Sequence, residues 1–213
     1  MKRRHFLLNA GLLGLLLACP LALGAEPADT RAGLWRESVA AERQGALDEG
    51  VRKAAAYLAA GGEEYLAAMR AGWLNYQKKD WPAASTAYRR AAQLRATSLS
   101  PRLGLLNVAQ GMGDTKATAK AAEGVLQVEP TNYRALTALA AIEWENKDYR
   151  KSLSYYQRLE TLYPEDPDAL SGAGWCLLYC GSKRDAKICF ERLLLIKPDQ
   201  KYAKEGYDYS NAR

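Results

Sequence analysis

Histidine is almost missing from this sequence: His5 is the only one among 213 residues. It lies inside a basic, leucine-rich start that reads as a removable leader, so the remainder has none. Without histidine there is no Ser-His or Cys-His nucleophile system and no imidazole to hold a metal. No phosphate loop and no dinucleotide fingerprint is present either, so no cofactor is expected. No second long apolar run follows the leader, and the rest of the chain is not expected to stay inserted in a membrane. These absences exclude most enzyme chemistries and leave a non-catalytic chain. What is present supports a packed fold: 48% of the residues are apolar or aromatic and 25% are charged. That is too apolar for a disordered tail.

Residues 1–24 read as a secretory signal, MKRRHFLLNAGLLGLLLACPLALG, with the break near Gly24 or Ala25. Arg3-Arg4-His5-Phe6-Leu7-Leu8 resembles the twin-arginine signal, which exports folded proteins; an ordinary secretory leader with a basic start is the other reading. Leu16-Leu17-Ala18-Cys19 resembles a lipoprotein box, but the apolar run continues through Pro20 to Leu23 where a lipoprotein turns polar. The mature chain is therefore expected in the periplasm. Removing the leader takes Lys2, Arg3 and Arg4 and no acid, so the formal charge falls from +6 to +3. That mild balance gives no reason to expect a nucleic-acid partner.

Pro130, Pro164 and Pro198 are spaced by 34 residues. Spacing of this length signals one supersecondary unit repeated. Between Tyr133 and Trp144, Leu136, Leu139, Ala140 and Trp144 recur with helical spacing. Asn146-Lys147-Asp148 breaks the pattern. A second helix follows with Leu153, Tyr156, Leu159 and Leu162 on one face, and Pro164 stops it. A shift of 34 aligns Tyr156 with Tyr88, Ala122 and Phe190, and Ala140 with Gly72, Leu106 and Gly174. It also aligns Ser152 with Ala84, Thr118 and Ala186, and Tyr149 with Trp81, Thr115 and Lys183. The hairpins are expected at 65–98, 99–132, 133–166 and 167–200. Residues 25–64 carry two further amphipathic helices with a faint copy of the frame (Gly45 at the turn, Leu47, Gly50). Residues 201–213 read as a capping helix, with Tyr202 and Tyr207 covering the last hairpin.

This pattern resembles the tetratricopeptide repeat (TPR) family. The residues that carry it are Gly72, Trp81, Ala84, Tyr88 and Ala91 in the first copy, Ala140, Tyr149, Tyr156 and Pro164 in the third, and Gly174, Ala186, Phe190 and Pro198 in the fourth. The second copy departs, with Leu106 and Thr118 at small sites, and the first has no closing proline. The resemblance covers Tyr65 to Gln200. It implies an all-α, right-handed superhelical solenoid of helical hairpins whose first helices line a concave groove for protein or peptide partners. Carried onto this frame, the groove rows are Trp73, Asn107, Ala141 and Trp175; Tyr76, Gln110, Trp144 and Leu178; and Gln77, Gly111, Glu145 and Tyr179, with Arg134 and Asp168 beside them. The candidate binding residues are Trp73, Tyr76, Asn107, Gln110, Arg134, Trp144, Glu145, Trp175 and Tyr179. Trp and Tyr supply large rigid contact areas with a polar edge, although each Trp is also suited to packing between hairpins. The expected partner is a protein segment in the cell envelope; aromatic faces also suit sugar rings, so a glycan is the alternative ligand.

Cys176, Cys180 and Cys189 fall in the fourth hairpin. They are small apolar residues, or a bridge with Cys180 to Cys189 as the better pairing, or thiols with redox or metal work. Glu165-Asp166-Pro167-Asp168 reads as a turn and a helix N-terminus rather than an acidic catalytic cluster.

Overall fold

The computed structural model describes residues 28–212. The expected signal at 1–24, with its paired arginines and Cys19, lies outside them. Among the described residues there are eleven helices and no strand: α1 Ala28–Arg43, α2 Leu47–Ala59, α3 Glu64–Gln77, α4 Trp81–Leu94, α5 Leu99–Met112, α6 Thr115–Leu126, α7 Tyr133–Glu145, α8 Tyr149–Leu162, α9 Pro167–Tyr179, α10 Lys183–Ile196 and α11 Lys201–Asn211. Each packs on the next in sequence, and the hairpins stack into a right-handed α-α solenoid.

The helices start and stop for local reasons. Asp80, Asp114, Asn132, Asp148 and Asp166 each precede a helix and accept a hydrogen bond from the backbone N–H three residues on, at 2.7–3.2 Å. This satisfies one of the donors that a helix start leaves free. Asp166 thus has the capping role expected of its acidic cluster, and Pro167 occupies the first turn, where its missing N–H costs nothing. The five hairpin turns each place one residue in the left-handed region: Gly45, Lys79, Gly113, Lys147 and Gly181, at φ between 60° and 84° and 34 residues apart. Glycine adopts this conformation freely; the two lysines hold it at some cost.

One device recurs in the core. On α4, α8 and α10 an aromatic ring packs against glycines of the neighbouring first helices. Tyr88 lies between Gly72 and Gly104, and Phe190 between Gly174 and Gly206. A Cβ on Gly104 would sit 2.6 Å from the Tyr88 ring, and one on Gly206 would sit 2.3 Å from the Phe190 ring. Both distances are far inside van der Waals contact. Tyr156 sits against Gly172 in the same way, with Ala140 at the frame position of Gly72 and Gly174. The second copy, which departs from the pattern, exchanges volume instead. Leu106 stands where the others have Gly or Ala, and Ala122 where they have an aromatic ring. Both are fully buried in one cluster with Val125, Ala135 and Leu139.

The N-terminal hairpin is docked by a polar clamp. Arg70 on α3 donates to Ser38 Oγ at 3.0 Å and to the Ser38 carbonyl at 2.7 Å, and its guanidinium pairs with the Glu42 carboxylate. Ser38 Oγ in turn donates to the Gly50 carbonyl at 2.8 Å. Glu42 also accepts from Trp73 Nε1 and Gln77 Nε2, each at 2.6 Å. Burial pushes the Glu42 pKa up, but the hydrogen bonds from Trp73, Arg70 and Gln77 outweigh it and hold the group below its ordinary 4.5. A carboxyl lowered in the folded state stabilises fully above its unfolded value. It loses that stability as pH falls through its lower folded value. The docking of α1–α2 is therefore expected to weaken below about pH 4.5. Glu42→Gln is expected to cost roughly 1.5–3 kcal/mol at neutral pH, because Arg70, whose side chain is 10% exposed, keeps its charge without a charged partner. Urea unfolding of both proteins at pH 7 and pH 4 checks this, with a smaller pH effect in the variant.

Candidate functional site

The first helices α3, α5, α7 and α9 run side by side along one face, with α11 following α9. The candidate groove residues separate into three groups on this face.

At the N-terminal end, Trp73 stacks on Tyr76 at 5.9 Å between ring centroids, and Tyr76 meets Trp81 at 5.6 Å. Trp73 is 42% exposed, but its indole N–H is already held by Glu42. Its ring face is open to a ligand and its polar edge is not.

In the middle, Arg134 donates from its guanidinium to the Asn107 side-chain oxygen. The bond joins these two candidate residues across α5 and α7 and occupies the Asn107 oxygen. Gln110 is exposed and Gly111 is close under the Trp81 ring, so this stretch is shallow.

At the C-terminal end the aromatics converge. Trp144 meets Tyr149 at 5.1 Å and Tyr179 at 5.3 Å, and Tyr149 stacks on Tyr179 at 4.5 Å. Trp175 lies edge-on to Phe190 at 5.5 Å and to Tyr209 at 6.2 Å. Trp144, Trp175, Leu178 and Tyr179 line a cavity of about 840 Å³ with Tyr202, Glu205 and Tyr209 of α11 and Lys183 of α10. Lys183 Nζ donates to the Ala212 carbonyl at 2.8 Å and closes one corner of the rim. Glu145 is exposed beside this cavity but does not line it.

Tyr202 and Tyr209 are not among the binding candidates that the sequence offers. Tyr202 and Tyr209 are 65% and 63% exposed and face the cavity rather than covering the last hairpin; only Tyr207 joins the core there. The signal was available. The same 34-residue shift carries Trp175 to Tyr209, Asp168 to Tyr202 and Gly172 to Gly206. The helix read as a plain cap therefore stands in the frame as the first helix of a further hairpin.

No protein-family model matches this chain. Over 124 residues it is 27% identical to the Protein CTR9 homolog of Arabidopsis thaliana, a stretch covering 58% of this chain but only 11% of that protein. Solved structures are similar along most of both chains. A tetratricopeptide repeat protein from Parabacteroides merdae superposes with a TM-score of 0.68 at 14% identity, over 85% of this chain and 72% of that one. MamA from Desulfovibrio magneticus gives 0.62 at 18% identity, over 80% and 97%. YrrB, described as a TPR protein with an unusual peptide-binding site, gives 0.63 at 14% identity, over 82% and 90%. This chain has the tetratricopeptide-repeat fold. At these identities the likeness speaks for the TPR architecture alone.

The TPR hairpin also explains the thiols. Cys176, Cys180 and Cys189 are all free, so of the readings open to them the Cys180–Cys189 bridge is not formed in the structure. Cys180 caps the end of α9 beside the turn, while Cys189 stands six residues into α10. At about 1.5 Å per residue that is roughly 9 Å along the axis, beyond the roughly 7 Å between Cα atoms that a disulfide spans. Cys176 donates to Ser152 Oγ at 3.4 Å between neighbouring hairpins. Burial pushes the Cys176 and Cys189 thiols up to about 11. Iodoacetamide at neutral pH is therefore expected to label Cys180 first. Cys176 and Cys189 should react only after unfolding, as peptide mass spectrometry would show.

Proposed function

We propose that this chain is a non-catalytic periplasmic scaffold that holds a protein segment in its concave groove and so assembles an envelope complex. The observation that carries this reading is the aromatic cavity between α7, α9 and α11. Its volume of about 840 Å³ lies within the roughly 300–1,000 Å³ typical of ligand sites. Trp144, Trp175, Tyr179, Tyr202 and Tyr209 give it apolar walls with polar edges, the composition of binding hot spots. Lys183 and Glu205 at the rim offer one charge of each sign to a peptide backbone or side chain. No described helix is long and apolar enough to cross a membrane. The basic leader supports export.

The test is a paired pull-down from the native envelope, with the leaderless chain as bait. Trp175 supports Phe190, so Trp144→Ala/Trp175→Ala disturbs the core as well as the groove. Tyr179→Ala/Tyr202→Ala removes two exposed rings and leaves the core alone, which makes it the more decisive variant. Proteins captured by the wild type and lost from both variants support the reading. Identical protein captures, together with tryptophan fluorescence quenched by peptidoglycan fragments, replace it with glycan binding.

A further inference from the structure

The opposite face of the solenoid carries a second groove at the second repeat. Its walls are α4 and α6 and its floor is α5. In the 34-residue frame the α6 wall positions are Ala117, Lys120, Ala121 and Gly124. The same positions hold Lys151, Ser154, Tyr155 and Arg158 on α8, and Asp185, Ile188, Cys189 and Arg192 on α10. There longer side chains stand over the equivalent space, whereas α4 carries Ala83, Thr86, Ala87 and Arg90 and leaves a comparable cleft of about 550 Å³ against α2 and α3, whose one cation, Arg90, is paired with Glu64. Tyr155 packs on the core, and Arg158 and Arg192 each reach back to a closing-proline carbonyl at 2.7 Å. On α6 Ala121 and Gly124 stand at the positions of Tyr155 and Arg158, and a cleft of about 540 Å³ opens over Leu105, Val108, Ala109 and Met112.

This cleft is apolar below and basic at its edges. Arg89, Arg102 and Lys120 line it against a single acid, Glu123. Among the described residues, no carboxylate pairs with Arg89 or Lys120, whereas Arg70, Arg90, Arg95 and Arg192 all have one. Arg102 extends over Gly124, donating to the Gly124 carbonyl at 3.3 Å and to the Ala96 carbonyl at 2.9 Å. Its buried Nε–H has no acceptor. A buried charged donor without a partner is costly, and a carboxylate at the accessible edge of the half-buried guanidinium would offset its uncompensated charge. Met112 is half exposed on the floor, and methionine adapts to varied apolar partners.

We propose that this groove docks an amphipathic, acidic segment of a partner protein, with its apolar side on Leu105, Ala109 and Met112 and its carboxylates on Arg89, Arg102 and Lys120. From Arg102 to Met112 the floor is about 15 Å long at roughly 1.5 Å per residue. That accommodates three turns of helix, or four to five residues of extended chain at about 3.3 Å each. The apolar floor is recessed between two helices, a shape that a side-chain stripe enters and a flat lipid headgroup layer does not. The site is separate from the concave cavity, so the scaffold would hold two segments at once.

The test uses the leaderless chain and fluorescein-labelled 14-residue helical peptides, about the length of the α5 floor with one flanking turn. All carry one Leu/Met stripe, with Glu, Ser or Lys on the polar face. Fluorescence anisotropy is expected to show the Glu series binding above the Ser and Lys series, and weakening as salt rises. Arg89→Glu/Lys120→Glu is expected to weaken the Glu series by about tenfold or more. Ala121→Tyr, which copies Tyr155, is expected to block binding by filling the cleft. Arg89 and Lys120 are exposed, so the charge variant tests the site even if the tyrosine fails to pack. Tyr179→Ala/Tyr202→Ala should bind the Glu series as the wild type does. Equal binding of the three series, no binding of any, loss in the Tyr179/Tyr202 variant, or capture of anionic vesicles in place of peptides would each overturn the proposal.

Discussion

Phe190→Ala is expected to destabilise the protein by about 3–5 kcal/mol. Phe190 is fully buried and packs with Leu170, Ala186, Leu193 and Ala203, so its ring joins α9, α10 and α11. Its removal leaves a cavity between two glycine-faced helices, neither of which has a side chain to fill it. α11 would lose its main anchor, and the cavity lined by Tyr202 and Tyr209 would go with it. The complementary change, Gly206→Ala, tests the slot from the other side. In a helix interior Gly→Ala normally gains about 1 kcal/mol. Here the added carbon would lie 2.3 Å from the Phe190 ring, and overpacking of this kind costs roughly 1–3 kcal/mol. The clash is therefore expected to reverse the usual sign. Thermal and urea unfolding give both values, and a stabilised Gly206→Ala protein would show that the slot is loose.

The second large effect concerns the exchanged pair. Leu106→Ala is expected to cost about 2–5 kcal/mol by cavity formation, and Ala122→Phe a further 1–3 kcal/mol or more by forcing a ring into an occupied slot. Combined, they should cost less than their sum by up to about 3 kcal/mol, since each makes room for the other. Adding Ala138→Gly, which restores the residue found at Gly104, Gly172 and Gly206 in the frame, should recover more. Strict additivity in the double-mutant cycle would mean that the two positions do not share one space.

The pair also shows what was legible in the sequence. Repeat length, hairpin order and the aromatic slot followed from the 34-residue shift because each rests on local spacing. Position by position, however, Leu106 and Ala122 look like two departures that put the packing of the second repeat in doubt. Only in three dimensions are they one conserved volume divided differently. The candidate site was partly legible for the same reason. Trp144, Trp175 and Tyr179 fall in the frame and do converge. Tyr202 and Tyr209 fall in it too, but after Pro198 no further closing proline follows, so residues 201–213 read as a cap with Tyr202 turned onto the last hairpin. The Glu42 bonds to Trp73 and Gln77 and the Arg134 bond to Asn107 had no sequence signal. They join residues 27 to 35 positions apart through side chains whose direction depends on how one hairpin is turned against the next.

Of the readings open to the thiols, the Cys180–Cys189 bridge is disfavoured for a geometric reason that spacing alone supplies. Two cysteines across a helical hairpin meet only if they lie at equal height from the turn. Cys180 is at the turn and Cys189 two turns above it.

The central claim is that a partner segment lies in the concave cavity, and site-specific photo-crosslinking in the native envelope tests it most directly. A benzophenone amino acid at Tyr202 faces the cavity. The same probe at Ile188, exposed on α10 and not lining it, serves as control. The account predicts one protein crosslinked from position 202, absent from 188, and lost when Tyr179 is changed to Ala. Crosslinks from 188 alone, or from neither position while a partner is captured by pull-down, would contradict it.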